Sequence, residues 1–319
     1  MHKGGFEAES PKRQPNRGRS EVLGITDGVG FDDGKVAEYA RSLGLPGLID
    51  IHVHFMPDNV MRKVWAYFES AGPLIGSSWP VAYRLPEEDR LELLESFGVL
   101  RHGALNYPHK PGMAEWLNQW SAGFAETHPK SFRCATFYPE PSAERYVRDA
   151  IERGAQLFKA HIQVGAYDPR DARLKPVWGM LAEAGIPVVT HCGSGPTPGA
   201  YTGVGPISEV LAANPGLAMI VAHLGNPDYE EFLDLAERHP KVHLDTTMTF
   251  TPFTESQAPF PRRLIPRLVE LGDRILLGSD FPNIPYRYSV QIASLAELGL
   301  GDDWMRGVLY SNAARLMGL

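Results

Sequence analysis

The sequence predicts an α/β fold, a single (β/α)8 TIM barrel with an N-terminal extension and a long loop after its first strand. Eight short apolar runs alternate with longer segments of helical periodicity. Each run is apolar throughout rather than alternating, which is typical of parallel strands that helices cover on both faces. The GxGxxG fingerprint of a doubly wound dinucleotide-binding sheet is absent. These observations favour one large barrel over two smaller domains.

The elements follow from local patterns along the chain. Residues 1–32 are polar and rich in Pro and Gly, so we expect a mobile N-terminal segment ahead of a barrel domain at 33–319. Residues 33–43 carry an amphipathic helical pattern that Gly44 ends. The predicted strands are 47–54, 103–107, 132–138, 156–161, 187–191, 219–223, 242–245 and 274–280. Further predicted helices are 143–153, 175–184, 206–213, 229–239, 262–271 and 288–298.

The stretch 55–89 is the main irregularity, because βα loops usually span about two to six residues. It is rich in aromatic residues, among them Trp65 and Trp79. On the strand-end face of a barrel, such an insertion would form a lid or a pocket wall. It would also pack a small core of its own, and the two roles are compatible.

Composition excludes several classes of protein. The chain of 319 residues is 43% hydrophobic and 22% charged, and no apolar run reaches the length of a membrane helix. The start lacks the apolar region of a secretory signal. A net charge of −7 argues against a nucleic-acid partner. Two cysteines, Cys134 and Cys192, are too few for a disulfide framework, so we expect a cytoplasmic protein.

The first predicted strand ends in a pair of histidines, His52 and His54. Residues two apart in a strand point to the same face, so both imidazoles project into one space. Active sites of eight-stranded barrels are built at the C-terminal ends of the strands. Paired imidazoles are a poor core filler, because each needs polar partners. The pattern therefore favours a metal site.

Three later strands end in similar side chains. His191 ends strand five, His223 ends strand six and Asp280 ends strand eight. Together with the first pair, five side chains meet at one mouth. Three or four N and O ligands with a position left for water describe a catalytic divalent metal site. We expect Zn first, with Fe, Mn and Co as alternatives that the same ligands suit.

The ordered set of motifs resembles a known family. The phrases GLIDIHVHF, LFKAH, GIPVVTHCG, VAHLG, VHLDTT, LLGSDFP and SNAARLMGL are similar to those of the amidohydrolase superfamily. The best match is its amidohydrolase 2 branch, which includes metal-dependent decarboxylases related to aminocarboxymuconate semialdehyde decarboxylase. The resemblance runs from about residue 47 to the C-terminus.

The resemblance implies roles for each residue of the site. His52, His54, His191 and Asp280 would hold a single metal. His223 would lie beside it as an acid or base, or as an electrostatic stabiliser, and a ligand role for it is the alternative. Asp280 would also take the proton from the attacking water. The resemblance further suggests a homodimer.

Strand four adds a second pair. Lys159 and His161 share one face by the same period-two argument. In binuclear amidohydrolases a strand-four lysine is carboxylated and bridges two metals, whereas in the amidohydrolase 2 branch this pair usually lines the pocket. We therefore leave open a second metal or a substrate contact for both. Asp245, after strand seven, either orients His223 or reaches the substrate, or caps the next segment.

These observations define the expected activity. The leading hypothesis is a metal-dependent hydrolase that uses activated water on an amide, lactone or ester-type bond of a small molecule. The alternative is a non-oxidative decarboxylase of an unsaturated or aromatic carboxylic acid. A remote third is a dinuclear iron oxygenase. The expected partner is a small-molecule substrate, with neither nucleic acid nor membrane.

Overall fold

A computed structural model describes residues 32–319 of the chain. Apart from Asp32, the predicted N-terminal segment 1–32 lies outside the described residues. The strands are β1 (Leu48–Asp50), β2 (Val99–His102), β3 (Cys134–Thr136), β4 (Leu157–His161), β5 (Val188–His191), β6 (Met219–Val221), β7 (Val242–Asp245) and β8 (Ile275–Leu276).

Helices alternate with these strands along the chain. The first seven are α1 (Val36–Ser42), α2 (Asp58–Ile75), α3 (Glu87–Ser96), α4 (Ala114–Thr127), α5 (Ala143–Glu152), α6 (Ile162–Gly165) and α7 (Lys175–Ala184). The next seven are α8 (Val204–Ala213), α9 (Tyr229–Arg238), α10 (Pro252–Glu255), α11 (Ile265–Glu270), α12 (Tyr288–Glu297), α13 (Asp302–Arg306) and α14 (Asn312–Met317). Short 3-10 turns lie at Asp33–Lys35, Ala172–Leu174, Ala222–Gly225 and Arg262–Leu264, and a π-helical turn lies at Gly307–Ser311.

All strand pairs are parallel and follow the order of the sequence. β1 pairs with β2, and β3 to β8 form a continuous six-stranded sheet. Hydrogen bonds connect the two sheets at both seams. Ile51 N donates to Leu277 O at 3.0 Å on one side, and Phe132 N donates to His102 O at 2.8 Å on the other. The predicted (β/α)8 barrel is confirmed.

Burial explains why the strands are apolar runs. Side chains such as Leu48, Val188 and Ile220 are fully buried, because the helices cover the outer face while neighbouring strands fill the inner one. Because all the strand pairs are parallel, the C-terminal ends of the strands lie at the same end of the barrel. Among residues 32–319, no helix combines the length and apolar character that crossing a bilayer requires.

The predicted position of the second strand is wrong. β2 spans Val99–His102, and the apolar run 103–107 follows it as a connection. Leu100 is 37% exposed, so β2 does not read as a continuous apolar run. The run itself is buried because it lies against β1, where Gly103 N donates to Asp50 O at 2.9 Å.

The predicted long loop after strand one is largely helical. α2 covers 18 residues of the stretch 55–89. Both expected roles of this insertion have structural support. Met56, Met61 and Trp65 form a separate small cluster of buried residues. The indole N–H of Trp65 also donates to Asn283 Oδ1 at 3.2 Å, so the helix packs over the strand ends.

Candidate metal centre

The strand ends gather the predicted ligands. His52 and His54 follow β1, His191 is the last residue of β5, His223 follows β6 and Asp280 follows β8. The ring centroid of His52 lies 5.1 Å from that of His54 and 5.3 Å from that of His223. Nitrogen and oxygen ligand atoms of His52, His223 and Asp280 all lie within 4.8 Å of one another. The barrel topology therefore brings residues from three strand ends into one group.

His52 is held in one tautomer. Its Nδ1 lies 2.9 Å from Asp245 Oδ2, so the carboxylate accepts the Nδ1–H. Burial, with the nearby charge of Lys159, lowers the pKa of His52 to about 3 and keeps the ring neutral. The lone pair is consequently on Nε2, which lies 3.5 Å from Asp280 Oδ1. This is the arrangement of a metal-ligating histidine with a carboxylate behind it.

His54 repeats the arrangement with a backbone partner. Its Nδ1–H faces Leu105 O at 2.9 Å, and its Nε2 lies 2.8 Å from Asp280 Oδ1. When Nδ1 carries the hydrogen of a neutral ring, Nε2 and the carboxylate oxygen are both acceptors. Two acceptors at this distance need a proton or a cation between them. The contact is therefore where a metal ion would replace a proton.

His223 presents a third Nε2. Its Nδ1 lies 3.1 Å from Thr247 O, which accepts the ring hydrogen, and its backbone N–H donates to Asp245 Oδ1 at 2.8 Å. Asp245 therefore holds the ring of His52 and the backbone of His223, which answers the question that the sequence left open. His223 also has a left-handed φ of 56°. Such a conformation costs about 1–2 kcal/mol in a non-glycine residue, and it is typical of functional sites.

Asp280 supplies the carboxylate of the group. Burial by itself would raise the pKa of its carboxyl, but the contact with His54 and the neighbouring His52 and His223 hold it far below the usual range. Its φ of 71° is also left-handed. An ionised, buried carboxylate next to imidazole lone pairs favours a divalent cation.

His191 lies beside this group with a different partner. Its Nε2 lies 3.1 Å from Gly195 O, so that carbonyl accepts an Nε2–H. Its ring centroid is 4.8 Å from that of His223. The converging Nε2 atoms thus belong to His52, His54 and His223, and a ligand role for His191 stays a prediction.

The strand-four pair is buried in the same region. Lys159 Nζ donates to His52 Nε2 at 3.0 Å, and its side chain is fully buried. Burial lowers the pKa of this amine to about 8, while Asp245 and Asp280 oppose the shift. His161 stacks on His191 with centroids 4.1 Å apart, and its Nδ1 accepts a hydrogen bond from Val164 N at 3.3 Å.

Two contributors were missed by the sequence analysis. Asp50 accepts hydrogen bonds from His52 N at 3.1 Å and from the Tyr288 hydroxyl at 2.9 Å, and burial raises its pKa to about 7. Its place in the motif GLIDIHVHF was the available signal. Gly278 permits close packing beneath the site, because an added Cβ would overlap the Thr247 hydroxyl and lie 2.9 Å from Cβ of His52.

Comparisons with known proteins agree with this architecture. A family model described as amidohydrolase matches residues 49–319. No curated protein matches the sequence. An uncharacterized TIM-barrel protein from Bordetella bronchiseptica has a TM-score of 0.68 and 20% identity, covering 85% of this chain and 98% of that one.

Two further solved structures have named activities. A 5-carboxyvanillate decarboxylase from Sphingomonas paucimobilis has a TM-score of 0.59 and 15% identity, covering 86% of this chain and 99% of its own. A probable 2-pyrone-4,6-dicarboxylic acid hydrolase from Acinetobacter baumannii has a TM-score of 0.56 and 12% identity, with coverages of 86% and 100%. At these identities the likeness establishes the fold.

Proposed function

Since the chain belongs to the amidohydrolase family, we propose that it is a metal-dependent hydrolase acting on an amide, lactone or ester-type bond of a small organic substrate. The observation that carries this proposal is the contact between His54 Nε2 and Asp280 Oδ1 at 2.8 Å. Both atoms are acceptors when His54 is neutral, and Nε2 of His52 faces the same oxygen at 3.5 Å. The donor set fits a divalent ion of the Zn, Fe, Mn or Co type.

His52, His54 and Asp280 would hold the ion. Each is already oriented by a second contact, since Asp245 and Leu105 O fix the two rings and the backbone N–H of Asp280 donates to His52 O at 2.9 Å. Three protein ligands leave a coordination position open, as catalytic sites require. An ion held there supplies Lewis acidity and a bound water whose pKa falls towards about 7.

The remaining groups would handle the proton. The second carboxylate oxygen of Asp280 is the acceptor for the proton of the attacking water, because the contacts with the imidazoles keep this carboxyl ionised although burial opposes ionisation. His223 keeps its Nδ1–H on Thr247 O, so its Nε2 accepts a proton and delivers it to the leaving group. Burial also lowers the pKa of His223 and keeps the ring neutral before it accepts the proton.

The test combines metal content with turnover. Protein reconstituted with Zn should bind one equivalent, and hydrolysis in H2-18O should place the label in the product. His54→Asn should lose the metal, whereas His223→Asn should retain it and lose turnover. His239→Asn, which changes a histidine outside the site, is the matched control. A wild-type protein that binds no metal after reconstitution would refute the proposal, and metal loss in His223→Asn would make His223 a ligand.

A decarboxylase is the second candidate, and one contact favours it. The ring of Tyr107 lies 5.6 Å from that of His54 and 4.7 Å from that of His161, so an aromatic face borders the metal group. Such a face suits a flat, unsaturated acid. Release of carbon dioxide without incorporation of solvent oxygen would replace the hydrolase by this second activity.

A further inference from the structure

His161 ends β4 with only one of its two ring nitrogens paired. Nδ1 accepts the backbone N–H of Val164, in the first turn of α6, at 3.3 Å. No hydrogen bond of Nε2 is seen among residues 32–319. Because a backbone amide always donates, Nδ1 must carry the lone pair, and the hydrogen of a neutral ring must be on Nε2.

The ring sits tightly among the site residues. It is 9% exposed and stacks on His191 with centroids 4.1 Å apart and planes at 18°. Its ring centroid also lies 4.7 Å from that of Tyr107. Because Nδ1 accepts the N–H of Val164, it carries no hydrogen, and the ring is neutral with its hydrogen on Nε2.

We propose that His161 is a substrate-binding residue whose Nε2–H donates to an acceptor oxygen of the substrate, a carboxylate or a carbonyl, and that it is not a ligand of a second metal. The inference rests on the proposed function, since the substrate oxygen is taken to lie beside the metal centre. It decides between the two roles that the sequence left open for this residue.

The tautomer separates His161 from three other histidines of the site. His52, His54 and His223 place a hydrogen on Nδ1 and keep the Nε2 lone pair. His161 does the reverse, so its free nitrogen, Nε2, carries a hydrogen, is a donor and repels a cation. Binding a metal through Nε2 would move the hydrogen to Nδ1, where it would oppose the N–H of Val164.

The second candidate ligand on this strand is also engaged elsewhere. Lys159 Nζ donates to His52 Nε2 at 3.0 Å. A single ion on His52 would displace this contact as well, but a dinuclear centre built from Lys159 and His161 would also have to break the contact between Val164 N and Nδ1 of His161. The contact between Val164 N and His161 therefore also weighs against the dinuclear iron oxygenase.

Isosteric variants test the donor. In Gln the amide nitrogen takes the place of Nε2, whereas in Asn it takes the place of Nδ1. In the zinc-loaded protein, we expect metal content to be unchanged in both His161→Gln and His161→Asn. Benzoate, an acceptor-only probe, should bind about 10- to 100-fold more weakly to His161→Asn, as for loss of a hydrogen bond to a charged group. Binding to His161→Gln should stay within about threefold of wild type.

The tautomer itself gives a readout without a ligand. A long-range 1H–15N correlation spectrum of protein with 15N-labelled histidine should place the hydrogen of His161 on Nε2, the signal being assigned by its loss in His161→Asn. A hydrogen on Nδ1, metal loss in either variant, or equal benzoate binding by wild type and His161→Asn, including none by either, would overturn the inference. Failure of the wild type to bind zinc would instead refute the proposed function and leave the tautomer to be read on the metal-free protein.

Discussion

Lys159→Met should increase the affinity of the protein for zinc. The amine of Lys159 donates to Nε2 of His52, which is the lone pair that the metal needs. With a pKa of about 8 the amine is mostly protonated at pH 7. Metal binding must therefore break a charged hydrogen bond worth about 1.5–3 kcal/mol. Methionine has a similar length without the charge, so we expect zinc to bind about 10- to 100-fold more tightly.

The assay is a competition titration with a chromophoric chelator at pH 7. Lys175→Met, which removes an exposed lysine from the start of α7, is the matched control and should leave the affinity unchanged. Unchanged binding in Lys159→Met would refute the competition argument. Weaker binding would refute it more strongly, since Lys159 would then contribute to holding the metal.

Three more predictions follow from the same contacts. Asp245→Asn should weaken zinc binding about 10- to 100-fold, because the amide no longer fixes the Nδ1–H tautomer of His52, and a chelator titration measures this. Gly278→Ala should lower the free energy of unfolding in urea by about 1–3 kcal/mol, since the new Cβ overlaps the Thr247 hydroxyl; unchanged stability would contradict the packing. The metal-free protein should become more stable as pH rises from about 8 towards the ordinary lysine pKa of 10.5, because over this range the unfolded Lys159 binds more protons than the folded one. Urea titrations of wild type and Lys159→Met should differ in this slope, and identical slopes would contradict the lowered pKa.

Much of the barrel could be predicted from local pattern, because burial on both faces makes parallel strands apolar over their whole length. The same rule failed for β2, whose exposed Leu100 and polar Arg101 interrupt the apolar run. The helix α2 was missed for another reason. The aromatic content of the insertion was more conspicuous than its helical periodicity, so the stretch was predicted as a loop.

The strand-end positions of the candidate metal ligands were predictable, but the tautomers of their rings were not. The strand-end position of His52, His54 and Asp280 follows from sequence, and the structure brings them together. Which ring nitrogen carries the lone pair depends on partners far along the chain, such as Leu105 O for His54 and Thr247 O for His223. No local pattern records such contacts.

Two tryptophans that contact Asn283, one in α2 and one in the loop after it, give the candidate metal centre an optical signal. Asn283 lies three residues after Asp280. Trp65 donates to its side chain at 3.2 Å, and Trp79 donates to its backbone carbonyl at 2.6 Å. Both indoles are buried, so their emission reports on the segment that carries the carboxylate. Co2+ or Cu2+ bound at Asp280 would quench this fluorescence, and Phe substitution at both Trp65 and Trp79 would remove their part of the response. Metal loading can then be followed in real time without a label.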